Sequence, residues 1–221
     1  MATWLVTGAY RGIGLELVRQ LHERGDTVIA TCRSSSPDLD AVGCRVIRGI
    51  DVGSDEVGAA LDAALEPGER IDVLVNNAGI GGWDSLERLD LDLARRQFDV
   101  NTLGPLRVTL ALLPRLERGS KIAFVSSKAG SIGDRPSGGN YGYRMSKSGL
   151  NMGAANLAHE LGPRGIEVVV LHPGFVRTEM TSRSGNVDPP EAAAGLIARI
   201  DELDASTSGR FVHANGDDIP W

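Results

Sequence analysis

Thr3-Trp4-Leu5-Val6-Thr7-Gly8-Ala9-Tyr10-Arg11-Gly12-Ile13-Gly14-Leu15 is the stretch that decides the fold. Its first five residues are apolar or β-branched without alternation, as expected of a strand covered on both faces. Three glycines then fall within seven positions. Leu15, Val18 and Leu21 recur at helical spacing up to Gly25, a natural helix stop. A glycine turn between strand and helix lets the backbone approach a ligand closely. The helix start adds free N–H groups and the positive end of the dipole, both favourable to an anion such as a pyrophosphate. The spacing Gly8, Gly12, Gly14 differs from the G-x-G-x-x-G of the usual dinucleotide fingerprint.

The same strand-then-helix order continues outward. Strands are predicted at 3–7, 27–31, 45–50, 71–76, 121–126, 166–171 and 210–213, with helices at 13–24, 55–65, 91–117, 143–161 and 190–203. This alternation predicts a doubly wound α/β fold, a parallel sheet with helices on both faces, in one domain spanning residues 1–221. In such a sheet ligands sit beyond the carboxyl ends of the strands. Those ends carry the glycine turn, Cys32-Arg33, Asp51-Val52, Asn76-Asn77-Ala78-Gly79, Ser126-Ser127 and His172-Pro173-Gly174. The distinctive chemistry therefore gathers on one edge.

Composition narrows the functional classes. Glycine supplies 28 of 221 residues, nearly twice the usual share of about 7%, yet glycine and proline together stay well below low-complexity levels. A net charge of −6 provides no broad basic face, which argues against a nucleic-acid partner. Cys32 and Cys44 match no zinc spacing and form no C-x-x-C. No apolar stretch reaches the ~18 residues of a membrane span, and no signal-peptide pattern is visible. A cytoplasmic protein with no membrane partner is expected.

Tyr143 and Lys147 stand four residues apart in a helical pattern and so share one face. A cation about 4 Å from a phenol is worth roughly 4 kcal/mol at an effective dielectric of about 20. That could lower the phenol from about 10 by up to about three units, into the range suited to acid and base work near neutral pH.

With these residues in place, the chain resembles the short-chain dehydrogenase/reductase family over nearly its whole length. The resemblance is carried by Thr7 to Gly14, Asn76 to Gly79, Asn101 in Val-Asn-Thr, Tyr143 to Lys147, and Pro173 to Thr178. Gly130–Asp134, Tyr143–Lys147, His172–Thr178 and the final Asp218-Ile219-Pro220-Trp221 are similar to the branch of C-factor signalling proteins and sniffer carbonyl reductases. The resemblance implies a Rossmann-type seven-stranded sheet, a nicotinamide cofactor, and a catalytic set of Asn101, Ser127, Tyr143 and Lys147. In that set Tyr143 is the general acid and base, and Ser127 hydrogen-bonds the carbonyl oxygen. Lys147 holds the nicotinamide ribose, and Asn101 positions a water that relays protons towards it. For the cofactor it implies Gly8, Tyr10, Arg11, Gly12, Ile13 and Gly14, then Asp51 and Val52 beside the adenine. It adds Asn77, Ala78 and Gly79, and lastly Pro173, Gly174, Val176 and Thr178.

Cofactor choice is read at the end of the second strand. An NAD site places an acid there for the ribose 2′-OH. Here Thr31-Cys32-Arg33 has none, and Arg33 is suited to a 2′-phosphate, with Arg11 as a second candidate; NADP(H) is expected over NADH. The serine is less direct. Family spacing puts it 13 residues before the tyrosine, on Gly130, and Ser127 and Ser131 bracket that position. Ser127 follows the strand and is placed by the sheet, whereas Ser131 lies in a loop rich in glycine and proline, with Ser137-Gly138-Gly139 as an insertion. Asp84, Glu87, Asp90 and Asp92 read as a solvated face, and His172 as bracing the backbone. Trp83, Tyr141 and Phe175 are either pocket walls or packing. The leading function is reversible NADPH-dependent reduction of aldehydes or ketones to alcohols. The alternative is a cofactor-binding signalling or redox-sensing protein. A homodimer or homotetramer would use the helices at 91–117 and 143–161.

Overall fold

A computed structural model describes residues 1–221. Seven strands form its sheet: β1 (Thr3–Thr7), β2 (Thr27–Cys32), β3 (Arg45–Arg48), β4 (Val73–Asn76), β5 (Lys121–Val125), β6 (Glu167–His172) and β7 (Phe211–His213). Their spatial order is β3-β2-β1-β4-β5-β6-β7, and every neighbouring pair is parallel. The expected Rossmann-type sheet is present. The chain order reverses between β1 and β4, and a crevice opens there beyond the strand ends, as this topology requires.

Strand periodicity assigns the two cores. Leu5, Ile29, Leu74, Ile122, Phe124, Val168 and Val170 point to one face. There they meet Val57 and Leu61 of α3 (Val57–Ala64), Val108 and Leu112 of α5 (Gly104–Leu112), and Leu150 and Ala154 of α6 (Tyr141–Leu161). The intervening Trp4, Val6, Val28, Ala30, Val75, Ala123, Val125 and Val169 point to the other face. They pack against Leu15, Val18 and Leu21 of α1 (Gly12–Glu23) and Leu196, Ile197 and Ile200 of α7 (Pro189–Asp201). Both faces are dry, which is why the strands read as unbroken apolar runs.

The expected helix over 91–117 is continuous in direction but not in winding. It divides into α4 (Leu91–Phe98), a π-helical turn (Asp99–Leu103), α5, and a 3-10 turn (Leu113–Arg115). Pro105 explains the break. It has no N–H for the carbonyl of Asn101 four residues back, and its ring crowds that carbonyl. The backbone widens instead, and the N–H of Gly104 donates to Asp99 five residues earlier. A short helix α2 (Pro37–Asp40), capped by the Ser36 hydroxyl accepting from the Leu39 N–H, adds to the expected elements. α6 begins two residues earlier than expected, at Tyr141.

Candidate active site

The glycine turn joins β1 to α1 and packs against the segment after β4. Gly8 (φ +69°) takes a backbone conformation that disfavours other residues, and a Cβ on it would lie 2.7 Å from Cα of Ala78. A Cβ on Gly14 would collide with the Gly8 carbonyl and the Asn77 amide. Thr7, 1% exposed, ties the two segments together. Its hydroxyl accepts from the N–H groups of Asn77 (3.0 Å) and Ala78 (3.1 Å), while the Asn77 amide donates to the Thr7 carbonyl at 2.9 Å.

Beyond this turn lies a cleft of about 550 Å³. It runs from Arg33, Asp51 and Val52 past Gly8, Tyr10, Arg11, Gly12, Ile13 and Gly14 to Asn77, Ala78, Gly79, Tyr143, Lys147, Pro173 and Thr178. The first turn of α1 has no capping side chain and no acidic residue, so its N–H groups remain available to an anion along this wall. A phosphate-bearing dinucleotide fits that donor set. Arg33 lines the cleft without an ion-pair partner, whereas Arg11 pairs with Glu179 and stacks over the Tyr10 ring. Arg177, Arg183, Glu179 and Met180, which sequence reasoning did not select, form part of the opposite wall. Arg177 is neutralised by Asp188 (2.7 Å), and Arg183 has no ion-pair partner. Gly174 and Val176 do not reach the cleft. Val176, 3% exposed, bridges to Val187 and anchors the segment behind the wall.

At the other end of the cleft, α6 carries Tyr143 and Lys147 one turn apart. Ser127 follows β5, and its side chain stands near enough to the Tyr143 phenol to favour its ionised form. Ser127 Oγ accepts from the Ala129 N–H at 3.1 Å. Ser131 is 2% exposed and turned away, donating to the main-chain oxygen of Pro220. Arg144 bonds Ser137 (3.2 Å) and the Gly139 carbonyl (3.1 Å), holding that stretch against the start of α6 while the strand end keeps Ser127 in place.

The electrostatics differ from expectation. Lys147 is 4% exposed, and its Nζ donates to the Val125 carbonyl at 2.9 Å. Burial pulls its pKa down to about 8. Nζ lies 6.0 Å from the centre of the Tyr143 ring. Burial pushes the Tyr143 phenol up, with the nearby Ser127 side chain opposing it. The expected lowering by a nearby cation is therefore corrected: desolvation dominates both groups, and Tyr143 is a protonated phenol at neutral pH.

Asn101 sits in the π turn, fully buried. Its amide donates to the Ile80 carbonyl (2.9 Å) and Ser146 Oγ (3.0 Å), and its Oδ1 accepts from the Ile80 N–H (2.8 Å). The side chain thus pins the loop after β4. Asp84, read as solvated, is instead a tertiary cap for α6: its Oδ1 accepts from the Tyr141 N–H at 2.6 Å and its carbonyl from the Asn140 N–H at 2.9 Å. Asp90 caps α4 through the N–H of Leu93 (2.9 Å). His172 makes no ring hydrogen bond through its buried Nδ1 and lies edge-on to His213, 5.0 Å between centres. Burial, then His213 and Lys128, bring its pKa down to about 3. Trp83 and Phe175 are 70% and 48% exposed and stand outside the cleft.

This geometry agrees with comparison to known proteins. The family model described as short chain dehydrogenase matches residues 2–188. The chain is 46% identical, over the full length of both proteins, to 1-hydroxy-2-glutathionyl-2-methyl-3-butene dehydrogenase of a Rhodococcus species. It is 42% identical to the C-signal protein of Myxococcus xanthus, across 68% of this chain and 93% of that one. The NADPH-bound carbonyl reductase from chicken fatty liver superposes with a TM-score of 0.89 at 28% identity, covering 100% of this chain and 99% of that one. The chain belongs to the short-chain dehydrogenase/reductase family and has the fold of an oxidoreductase of that family.

Proposed function

We propose that the protein reversibly reduces aldehydes or ketones to alcohols with NADP(H), and that Asn101, Ser127, Tyr143 and Lys147 carry the reaction. The observation that supports this most is the Tyr143 phenol, kept protonated by burial, beside Lys147 at one end of a cleft whose other end holds the unpaired Arg33. A reduced nicotinamide, when bound, supplies the hydride that the carbonyl carbon accepts. The chain's own residues do the rest. Tyr143 gives its proton to the carbonyl oxygen as negative charge develops there, and Ser127 stabilises that oxygen by hydrogen bonding. Lys147, held by the Val125 carbonyl, offers its remaining N–H groups to the ribose and to returning protons. Asn101 positions the loop after β4. Its own carbonyl, deprived by Pro105 of the usual helical donor, suits a relay water. Arg33 binds the 2′-phosphate, and the uncapped start of α1 binds the pyrophosphate.

The assembled Ser127–Tyr143–Lys147 set favours an enzyme over a purely signalling protein. The Rhodococcus relative is named for a glutathionyl alcohol, so a glutathione conjugate belongs in the substrate panel, with Arg183 free to meet a carboxylate. The exposed Leu110, Met145 and Met152 on α5 and α6 favour a homo-oligomer. The test is NADPH consumption with a panel of aldehydes, ketones and glutathione conjugates. Tyr143→Phe should lose turnover by about a hundredfold or more, from the low end of the range for general acid–base catalysis upward, while still binding NADPH. A variant that keeps most of its activity would reject Tyr143 as the acid.

A further inference from the structure

The loop after Ser127 is clamped from two sides. On one side Gly130 lies against α6, its carbonyl accepting from Ser148 Oγ (2.9 Å) and from the Asn151 amide (3.3 Å). A Cβ on Gly130 would lie 2.7 Å from the Lys147 main chain. On the other side is the segment at 217–221, which crosses from β7 at the sheet edge. Ile219 donates to the Phe211 carbonyl (2.8 Å), Asp218 pairs with Arg210, and the Trp221 ring rests on the buried Phe211 with 5.5 Å between centres. The Ile132 and Gly133 N–H groups both donate to the Trp221 main-chain oxygen, at 2.8 and 3.0 Å. Ser131 Oγ donates to the main chain of Pro220 and accepts from the Asp134 N–H at 3.0 Å. None of these contacts touches the reacting groups, yet together they fix the loop that follows Ser127. The large apolar side chains left open on loop and strap are Ile132, 74% exposed, and Trp221, 45% exposed.

We propose that residues 217–221 form a strap that holds the 131–134 loop beside the catalytic edge, and that Ser131 and Trp221 are positioning residues favouring carbonyl substrates with a bulky apolar substituent. The proposal rests on the reductase reading, and its test separates the two. Trp221→Ala removes the ring from Phe211 and loosens the strap. It should raise the KM of an aryl ketone such as acetophenone about three- to tenfold, the range expected from losing one or two contacts. The KM of propanal, kcat and NADPH affinity should stay within twofold. Trp221→Phe keeps a ring on Phe211 and should restore the aryl-ketone KM. Ser131→Ala, which removes the hydroxyl's bond to Pro220, should reproduce the Trp221→Ala pattern. Amide hydrogen exchange across 131–134 should quicken in both loosened variants. Unchanged exchange, or equal changes in KM for both carbonyl compounds, would overturn the proposal. If the wild-type protein reduces no carbonyl compound, the reductase reading fails and the exchange comparison alone decides the strap.

Discussion

Lys147→Met should make the protein more stable while removing its activity. Lys147 is 4% exposed, no carboxylate lies among the causes of its pKa shift, and it makes one hydrogen bond, to Val125. Burial lowers its pKa from 10.5 to about 8. At about 1.36 kcal/mol per pH unit, keeping this ammonium charged in the folded state costs on the order of 3 kcal/mol. The group is bound to a proton in the unfolded chain and loses it in the folded chain between about pH 8 and pH 10.5. Stability therefore rises with pH across that window, and below it the full cost is present. Methionine fills a similar volume without charge but leaves the Val125 carbonyl short of a donor, at about 1–2 kcal/mol. The net gain expected at pH 7 is about 1–2 kcal/mol, or roughly 2–8 °C in Tm for a chain of this size. Thermal denaturation without added nucleotide, at pH 7 and again above pH 10, checks it. The advantage of Lys147→Met should shrink at the higher pH. An advantage that does not depend on pH, or a variant less stable at pH 7, would refute the argument.

Arg33→Asp should weaken NADPH binding roughly ten- to a hundredfold, the value of one charge-assisted contact of about 1.5–3 kcal/mol, and change NADH binding little. Fluorescence titration of both cofactors measures this, and equal losses would remove Arg33 from the 2′-phosphate site. Ser127→Ala should lower kcat on the order of a hundredfold or more, as for other single donors to a developing oxyanion. Its NADPH affinity should be unchanged. Steady-state kinetics on a responsive carbonyl compound would expose the wrong serine if the loss were small.

The strands were legible because both sheet faces are dry, so each strand is an apolar run ending in polar or glycine-rich residues. The residues at those ends were legible for the same reason: Thr7, Asn77, Ser127 and Pro173 stand where the sheet stops. Contacts between loops distant in sequence were not. Asp84 lies among acids that look solvated, and only the fold brings it to the first turn of α6, 57 residues later. The Tyr143–Lys147 pair shows a different gap. Spacing on a helix puts the two side chains on one face, but burial governs their proton affinities, and i,i+4 spacing says nothing about burial. Asn101 was selected by resemblance. The reason for its setting lies four residues on, in a proline whose effect on a helix is to open it.

The π turn at Asp99–Leu103 has a further consequence, for how this chain can change by insertion and deletion. An α-helix advances about 100° per residue, so a π turn amounts to one surplus residue held in register by its neighbours. Deleting one residue there would press the stretch towards regular winding, which Pro105 opposes through its missing N–H and its ring. The loss would also shift the residues inside the turn by one place and so part Asn101 from Ile80 and Ser146. Point substitutions on the exposed face leave the turn intact, whereas a single-codon loss at this spot does not. The stretch can drift in composition, but its length is locked.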